Sequence, residues 1–201
     1  MELTLKEVIK SDIQPVLKEM GFSKKANYFY KKKDGFIYAI WFPIDREYTE
    51  NGAYFTAQFG IYSEALEVML GREVKAFPTG YDFILNENVL TLCQRQYERY
   101  LLENTTDLTV FGVNMLDDML QVLVFFNHTT TLKSVINYCL EYNGLVHHED
   151  LMRYLAITND DKKMKKYLSK IKEKLYRISD TAHAHYVQKS TPLYQRFWSK
   201  K

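Results

Sequence analysis

The chain is poor in the residues that announce most specialised chemistries. Its 201 residues include two cysteines, Cys93 and Cys139, with no CxxC spacing, which excludes a disulfide framework and a zinc knuckle and leaves reduced thiols. Eight glycines and four prolines are too few for flexible linkers, collagen or low-complexity disorder. No apolar run approaches the roughly 20 residues of a membrane helix. The start, Met1-Glu2-Leu3-Thr4-Leu5-Lys6, lacks the charged-then-apolar order of a signal peptide, so a cytoplasmic protein without membrane contact is expected. GxGxxG, GxxxxGK[ST], GxSxG, HExxH and EF-hand patterns are all missing, which removes the main support for the common cofactor and hydrolase classes.

What is present suits a single body with an appendage, since 46% of the residues are apolar and 26% charged. The charge is unevenly spread. Residues 34 to 161 hold seven Lys/Arg against nineteen Asp/Glu, residues 162 to 201 hold twelve against two, and the first 33 hold eight against four. Such asymmetry fits either a basic end lying against an acidic body or a surface that faces a partner.

Thr4-Leu5-Lys6-Glu7 has capping-box spacing, and Leu5, Val8, Ile9, Ile13, Val16, Leu17 and Met20 follow at helical intervals up to Gly21. This predicts an amphipathic first helix, with a kink or restart near Ser11-Asp12 because Pro15 removes a backbone donor. Two aromatic and β-branched runs flank Asp34-Gly35, the pair that favours a type I′ turn. A two-residue turn sets Lys33 opposite Phe36, Tyr30 opposite Ala39, Phe29 opposite Ile40 and Tyr28 opposite Trp41. Phe29, Phe36, Tyr38, Ile40 and Phe42 then share a core face with Phe55, Ala57, Phe59 and Ile61 of a third run, Ala53 to Tyr62. The other face gathers Tyr28, Tyr30 and Trp41 with Tyr54, Thr56 and Gln58.

Further along, Ser63 opens a short helix that Gly71 ends, Tyr81 to Leu85 reads as a strand, and residues 86 to 112 read as either strand or helix. Helical patterns cover Leu116 to Phe126, Leu132 to Tyr142, His148 to Ile157 and Lys162 to Ile178. The last carries a stripe of Met164, Leu168, Ile171, Leu175 and Ile178 among lysines, and should pack around Leu151, Tyr154 and Leu155. The expected fold is α+β: an N-terminal helix packed on an antiparallel meander of three to five strands, then a mostly helical C-terminal half. Residues 1–110 would form the sheet domain and 111–201 a helical region packed on it as one body.

Reactive constellations are weak. His147-His148-Glu149-Asp150 has the composition of a metal site, but neighbours on a helix diverge by about 100° and acids in a first turn answer the helix dipole. His183-Ala184-His185 would need a third ligand from elsewhere. Asp45 with Glu73-Val74-Lys75 loosely matches a nuclease string, with Glu73 just past a helix stop. Neither cysteine has a basic cluster beside it to make a thiolate, so no catalytic, cofactor or metal residue is assigned. Tyr28, Tyr30, Trp41, Tyr54, Thr56 and Gln58 on the second sheet face, and Lys163, Lys166, Lys170 and Lys174 on the basic helix, are the candidate partner-binding residues. The basic helix also admits nucleic acid as an alternative partner.

The segments Val16 to Lys25, Tyr28-Phe29-Tyr30, Gly35 to Phe42 and Tyr54 to Tyr62 resemble the domain-of-unknown-function family 4304 over about residues 10 to 62. Pro43 stands where that family is expected to have Gln. The resemblance implies a small bacterial α+β protein without an assigned activity, and it carries no catalytic residue onto this chain. It also brings an association with immunity proteins that neutralise secreted toxins. A non-enzymatic protein-binding or immunity-type role is therefore expected, with no cofactor and a protein partner such as a toxin. The alternative is a metal-dependent or nucleic-acid-processing enzyme, or a nucleic-acid binder using the basic helix.

Overall fold

The computed structural model describes residues 2–43, 50–142 and 147–178. The chain divides into two units, Met1–Ser63 with Ala76–Ser134, and Glu64–Lys75 with Val135–Lys201. The expected junction at residue 110 thus falls inside the first unit.

The first unit opens with α1 (Glu2–Val8), a π turn (Ile9–Ile13) and α2 (Gln14–Glu19), with Pro15 in the first turn of α2. The kink expected near Ser11-Asp12 is this π turn: Pro15 has no donor to continue the ladder, and the wider turn lets the helix restart. Helix α1 begins at Glu2, ahead of the Thr4 cap expected from sequence. Leu5, Val8, Ile9, Ile13 and Leu17 are buried along one side.

Strands β1 (Ser23–Lys25), β2 (Tyr28–Lys33), β3 (Phe36–Trp41), β5 (Gln58–Ser63) and β6 (Leu85–Asn88) form an antiparallel sheet in the order β1-β2-β3-β5-β6. The hairpin register is the expected one at every position, from Tyr28 opposite Trp41 to Lys33 opposite Phe36. Asp34 and Gly35 have φ of 51° and 75°, the left-handed pair that a type I′ turn requires. On the core face Phe29, Ile40 and Phe59 lie in one row, and all are buried. Each such side chain contributes about 1.5–3 kcal/mol.

The third run does not continue as one strand. Its first part is β4 (Gly52–Phe55), which leaves the sheet at Thr56-Ala57 and pairs instead with β7 (Tyr100–Glu103) in a separate two-stranded sheet. Phe55 stacks on Tyr100 with ring centroids 5.1 Å apart, an attraction that local periodicity cannot display. The ambiguous stretch 86–112 resolves as β6, a single-turn helix α4 (Val89–Leu92), β7 and the first residues of a long helix that begins at Leu108. The strand expected at Tyr81 to Leu85 is a 3-10 turn at Gly80–Asp82 leading into β6.

Helix α5 (Leu108–His128) covers the core face from the far side: Phe126 lies 4.9 Å from Tyr38 and 5.9 Å from Phe59, and the Tyr38 hydroxyl donates to the Thr129 carbonyl at 3.3 Å. By length and composition α5 could cross a membrane, a feature hidden in the sequence by the Asp117-Asp118 interruption. In this unit it buries Met115, Asp118, Met119, Val122 and Phe126 along one side.

The second unit contains α3 (Glu64–Met69), the rest of α6 (Leu132–Glu141), α7 (His148–Ile157) and α8 (Asp161–Ile178). Helices α7 and α8 pack together, burying Leu151 and Leu155 of one and Met164, Leu168 and Ile171 of the other, as the stripe predicts. The side chains of Leu175 and Ile178 lie outside the described residues.

Candidate functional site

The second sheet face is closed rather than open. Residues 77–83 lie over it: Phe83 stacks on Trp41 at 5.2 Å, Phe77 meets Tyr30 edge-on at 5.7 Å, and the Tyr30 hydroxyl donates to the Pro78 carbonyl at 3.0 Å. Tyr30 and Trp41 are only 6% and 5% exposed, and burial pushes the Tyr30 phenol up to about 12, with Tyr28 and Asp82 adding to it. Tyr28 stacks on both at the edge, and Gln58 lies half-buried in the same face. Tyr54 sits in the two-stranded sheet and Thr56 in the link that leaves it, so neither joins this cluster. The six residues grouped on one face are therefore four in one place, two of them core, because the break at Thr56-Ala57 ends the period-2 alternation.

On α8 the lysines are also unequal. Lys163 pairs with Asp160 at 3.2 Å, and the Lys170 ammonium donates to the carbonyls of Leu140 at 3.0 Å and of Glu141, closing the end of α6. Lys166 is exposed beside Lys162 and Lys165, and the side chain of Lys174 lies outside the described residues.

The polar centre of the first unit lies elsewhere. Asn88 caps α4, its Oδ1 accepting from the Leu90 amide at 2.9 Å while its Nδ2 holds the Glu98 carbonyl at 2.7 Å. Helix α4 ends with Gln94 in a left-handed conformation, φ 53°, and the Arg95 amide reaching back to the Leu90 carbonyl at 3.0 Å. This turn aims the Arg95 guanidinium at Asp118 of α5, whose Oδ1 accepts from Nε at 3.0 Å and Nη2 at 2.6 Å. The other oxygen, Oδ2, accepts from the Tyr100 hydroxyl at 2.9 Å. Asp118 is 2% exposed and would be costly to bury unless partnered in this way.

A cleft of about 520 Å³ opens above this network, walled by Tyr54, Tyr97, Arg99, Phe111 and Asn114. Phe111 stands edge-on to both Phe55 and Tyr100, which fixes the inner wall. Tyr97 is 55% exposed and stands at the rim. The groups beneath are chemically quiet. Burial, reinforced by Asp118, pushes the Cys93 thiol up to about 12 and the Tyr100 phenol further, so both stay protonated at neutral pH. The hydrogen bond to Asp118 holds Arg95 charged.

In the second unit Arg72 makes a similar clamp, bidentate to Glu67 at 2.6 and 2.9 Å and bonded to both oxygens of Asp150 at 2.9 Å. That commits Asp150, one of the four residues of the metal-like run, to an arginine. The buried Nε2 of His147 has no hydrogen-bond partner among the described residues, and burial lowers its pKa. Glu73 and Lys75 lie on an exposed loop, whereas Asp45, His183 and His185 lie outside the described residues. No group of three or more His, Cys, Asp or Glu that could hold a metal occurs among the described residues.

These features define an α+β protein with an antiparallel sheet, a buried carboxylate clamp and an aromatic, arginine-bearing cleft. The chain belongs to the family described as Domain of unknown function (DUF4304), whose model matches residues 13–128, from the π turn to the end of α5. The match extends well past the residue 62 limit of the resemblance read from the strands, and takes in Arg95, Tyr100 and Asp118. No curated protein and no solved structure matches the chain at a significant level.

Proposed function

We propose that this chain is a non-enzymatic protein-binding protein of the toxin-immunity type, and that the cleft walled by Tyr54, Tyr97, Arg99 and Phe111 is its contact surface. One observation carries the reading: the rim offers tyrosine and arginine, the side chains that dominate binding hot spots, while the groups beneath are locked in a satisfied network, with the Cys93 thiol and the Tyr100 phenol held protonated. Such a site supplies rigid contact area and no activated nucleophile or base. The partner expected is a protein that offers an acidic side chain to Arg99 and apolar area to Tyr97 and Phe111, because the described charges lining the cleft are Arg95, Arg99 and a buried Asp118 that Arg95 already pairs. The test is co-expression with a toxin encoded beside this chain. Protection of the cells by the wild type, lost with Tyr97→Ala and Arg99→Ala, supports the reading; equal protection by the variant removes the cleft from it. The exposed Lys162, Lys165 and Lys166 favour a second reading, a nucleic-acid contact on α8, which a salt-dependent affinity lost on Lys166→Glu would reveal.

A further inference from the structure

A second cleft in the first unit has a different chemistry. It lies between the N-terminal helical segment and the β1–β2 turn, with a volume of about 580 Å³, inside the range of roughly 300–1,000 Å³ typical of small-molecule sites. Its floor is Leu5, Ile9, Phe29 and Phe42, side chains that are otherwise buried and that leave no donor or acceptor to read the heteroatoms of a sugar or base. Its mouth is formed by Gln14 and by the turn residues Ala26 and Asn27, with Ala26 left-handed at φ 55°.

Among the described residues, the charged side chains that line the cleft are Lys6, Lys10 and Lys24, all cations. Lys24 is fixed at the edge of the floor: its ammonium donates to Gln14 Oε1 at 3.2 Å and stands 5.4 Å from the centre of the Phe29 ring. Lys10 is exposed on the π turn directly beside Ile9 of the floor. An apolar floor with cations confined to the mouth is complementary to a molecule that is apolar along its length and anionic at one end.

We infer that this cleft binds an amphipathic anion, an alkyl chain ending in a carboxylate, with the chain on Leu5, Ile9, Phe29 and Phe42 and the head group between Lys6, Lys10 and Lys24. The site is independent of the protein-binding cleft: its residues lie on α1, the π turn, the start of α2, β1, the β1–β2 turn, β2 and the end of β3, and it shares no lining residue with the Asp118 network.

The experiment is calorimetric titration of the full chain with decanoate below its micelle concentration, beside decanol and decyltrimethylammonium as neutral and cationic probes. Saturable binding of one decanoate is expected, with each of the other two at least about tenfold weaker. Lys6→Glu with Lys10→Glu, both exposed positions, should weaken decanoate about tenfold or more and leave decanol unchanged. Asn27→Trp, at the exposed mouth, should abolish decanoate binding without altering the melting temperature. Equal binding of all three probes, decanoate binding that survives both variants, or no saturable binding overturns the inference.

Discussion

Gly60 is the position where the closed sheet face can be broken with one carbon atom. It sits in β5, opposite Ala39 of β3 and Asn86 of β6, and a Cβ there would fall 2.7 Å from Cγ of Phe83 and 3.0 Å from the Leu85 carbonyl oxygen. Neither neighbour can give way cheaply. Phe83 is fully buried on Trp41, and Leu85 is backbone paired to Ile61 in the same sheet. Overpacking of this kind costs about 1–3 kcal/mol, against roughly 0.5–1 kcal/mol regained from the stiffer unfolded chain. Gly60→Ala should therefore destabilise the first unit by about 1–2 kcal/mol. Phe83→Ala alone should cost about 3–5 kcal/mol, and in that background Gly60→Ala should become nearly neutral. The assay is urea unfolding followed by Trp41 fluorescence, with Trp198→Phe as the parent so that one indole reports. Costs that add within about 0.5 kcal/mol would refute the contact as the reason for glycine.

Gly112→Ala gives a contrasting outcome: its Cβ would run into the Asp12 carboxylate, the free end of a side chain, while a helix interior gains about 1 kcal/mol from the exchange, so stability should stay within about 1 kcal/mol of wild type by the same unfolding assay. Leu168→Asp places a charge in the buried seam of α7 and α8 and should cost more than about 3 kcal/mol, read as lost amide-exchange protection across both helices with β2 and β3 unaffected. Burial lowers the His147 pKa from its ordinary 6.5, so the unfolded chain takes up that proton first as pH falls. The contribution is complete above that value and lost below it, and the melting temperature of the wild type should fall more steeply from pH 7 to pH 5 than that of His147→Phe.

The hairpin was legible because Asp34-Gly35 leaves one register open, and every pairing from Tyr28 to Trp41 follows from it. The α8 stripe was legible for a similar reason, since a charged helix displays its apolar seam plainly. Periodicity misled where a partner distant in sequence decided the outcome. Tyr54 and Phe55 continue the alternation of Phe59 and Ile61, yet β7 takes them into another sheet. The second face invited a partner because aromatics with polar tips suit interfaces equally well as cores, and residues 77–83, which cover it, hold one 3-10 turn at Gly80–Asp82 whose pattern reads in the sequence as the start of a strand. The clamp had one signal: Asp118 falls on the buried stripe of Met115, Met119 and Val122, so a partner for its charge was required. That the partner is Arg95 depends on a left-handed Gln94, for which the sequence offers no glycine.

Whether the aromatic and arginine-bearing cleft is a protein contact surface is decided by the affinity of the wild type and of Tyr97→Ala with Arg99→Ala for the same toxin partner, measured with the melting temperature of both. At least about a hundredfold loss of affinity is expected in the variant at an unchanged melting temperature, while Lys162→Glu with Lys166→Glu on α8 binds as the wild type does. Equal affinity of the cleft variant, with binding lost instead in the α8 variant, would contradict that role for the cleft.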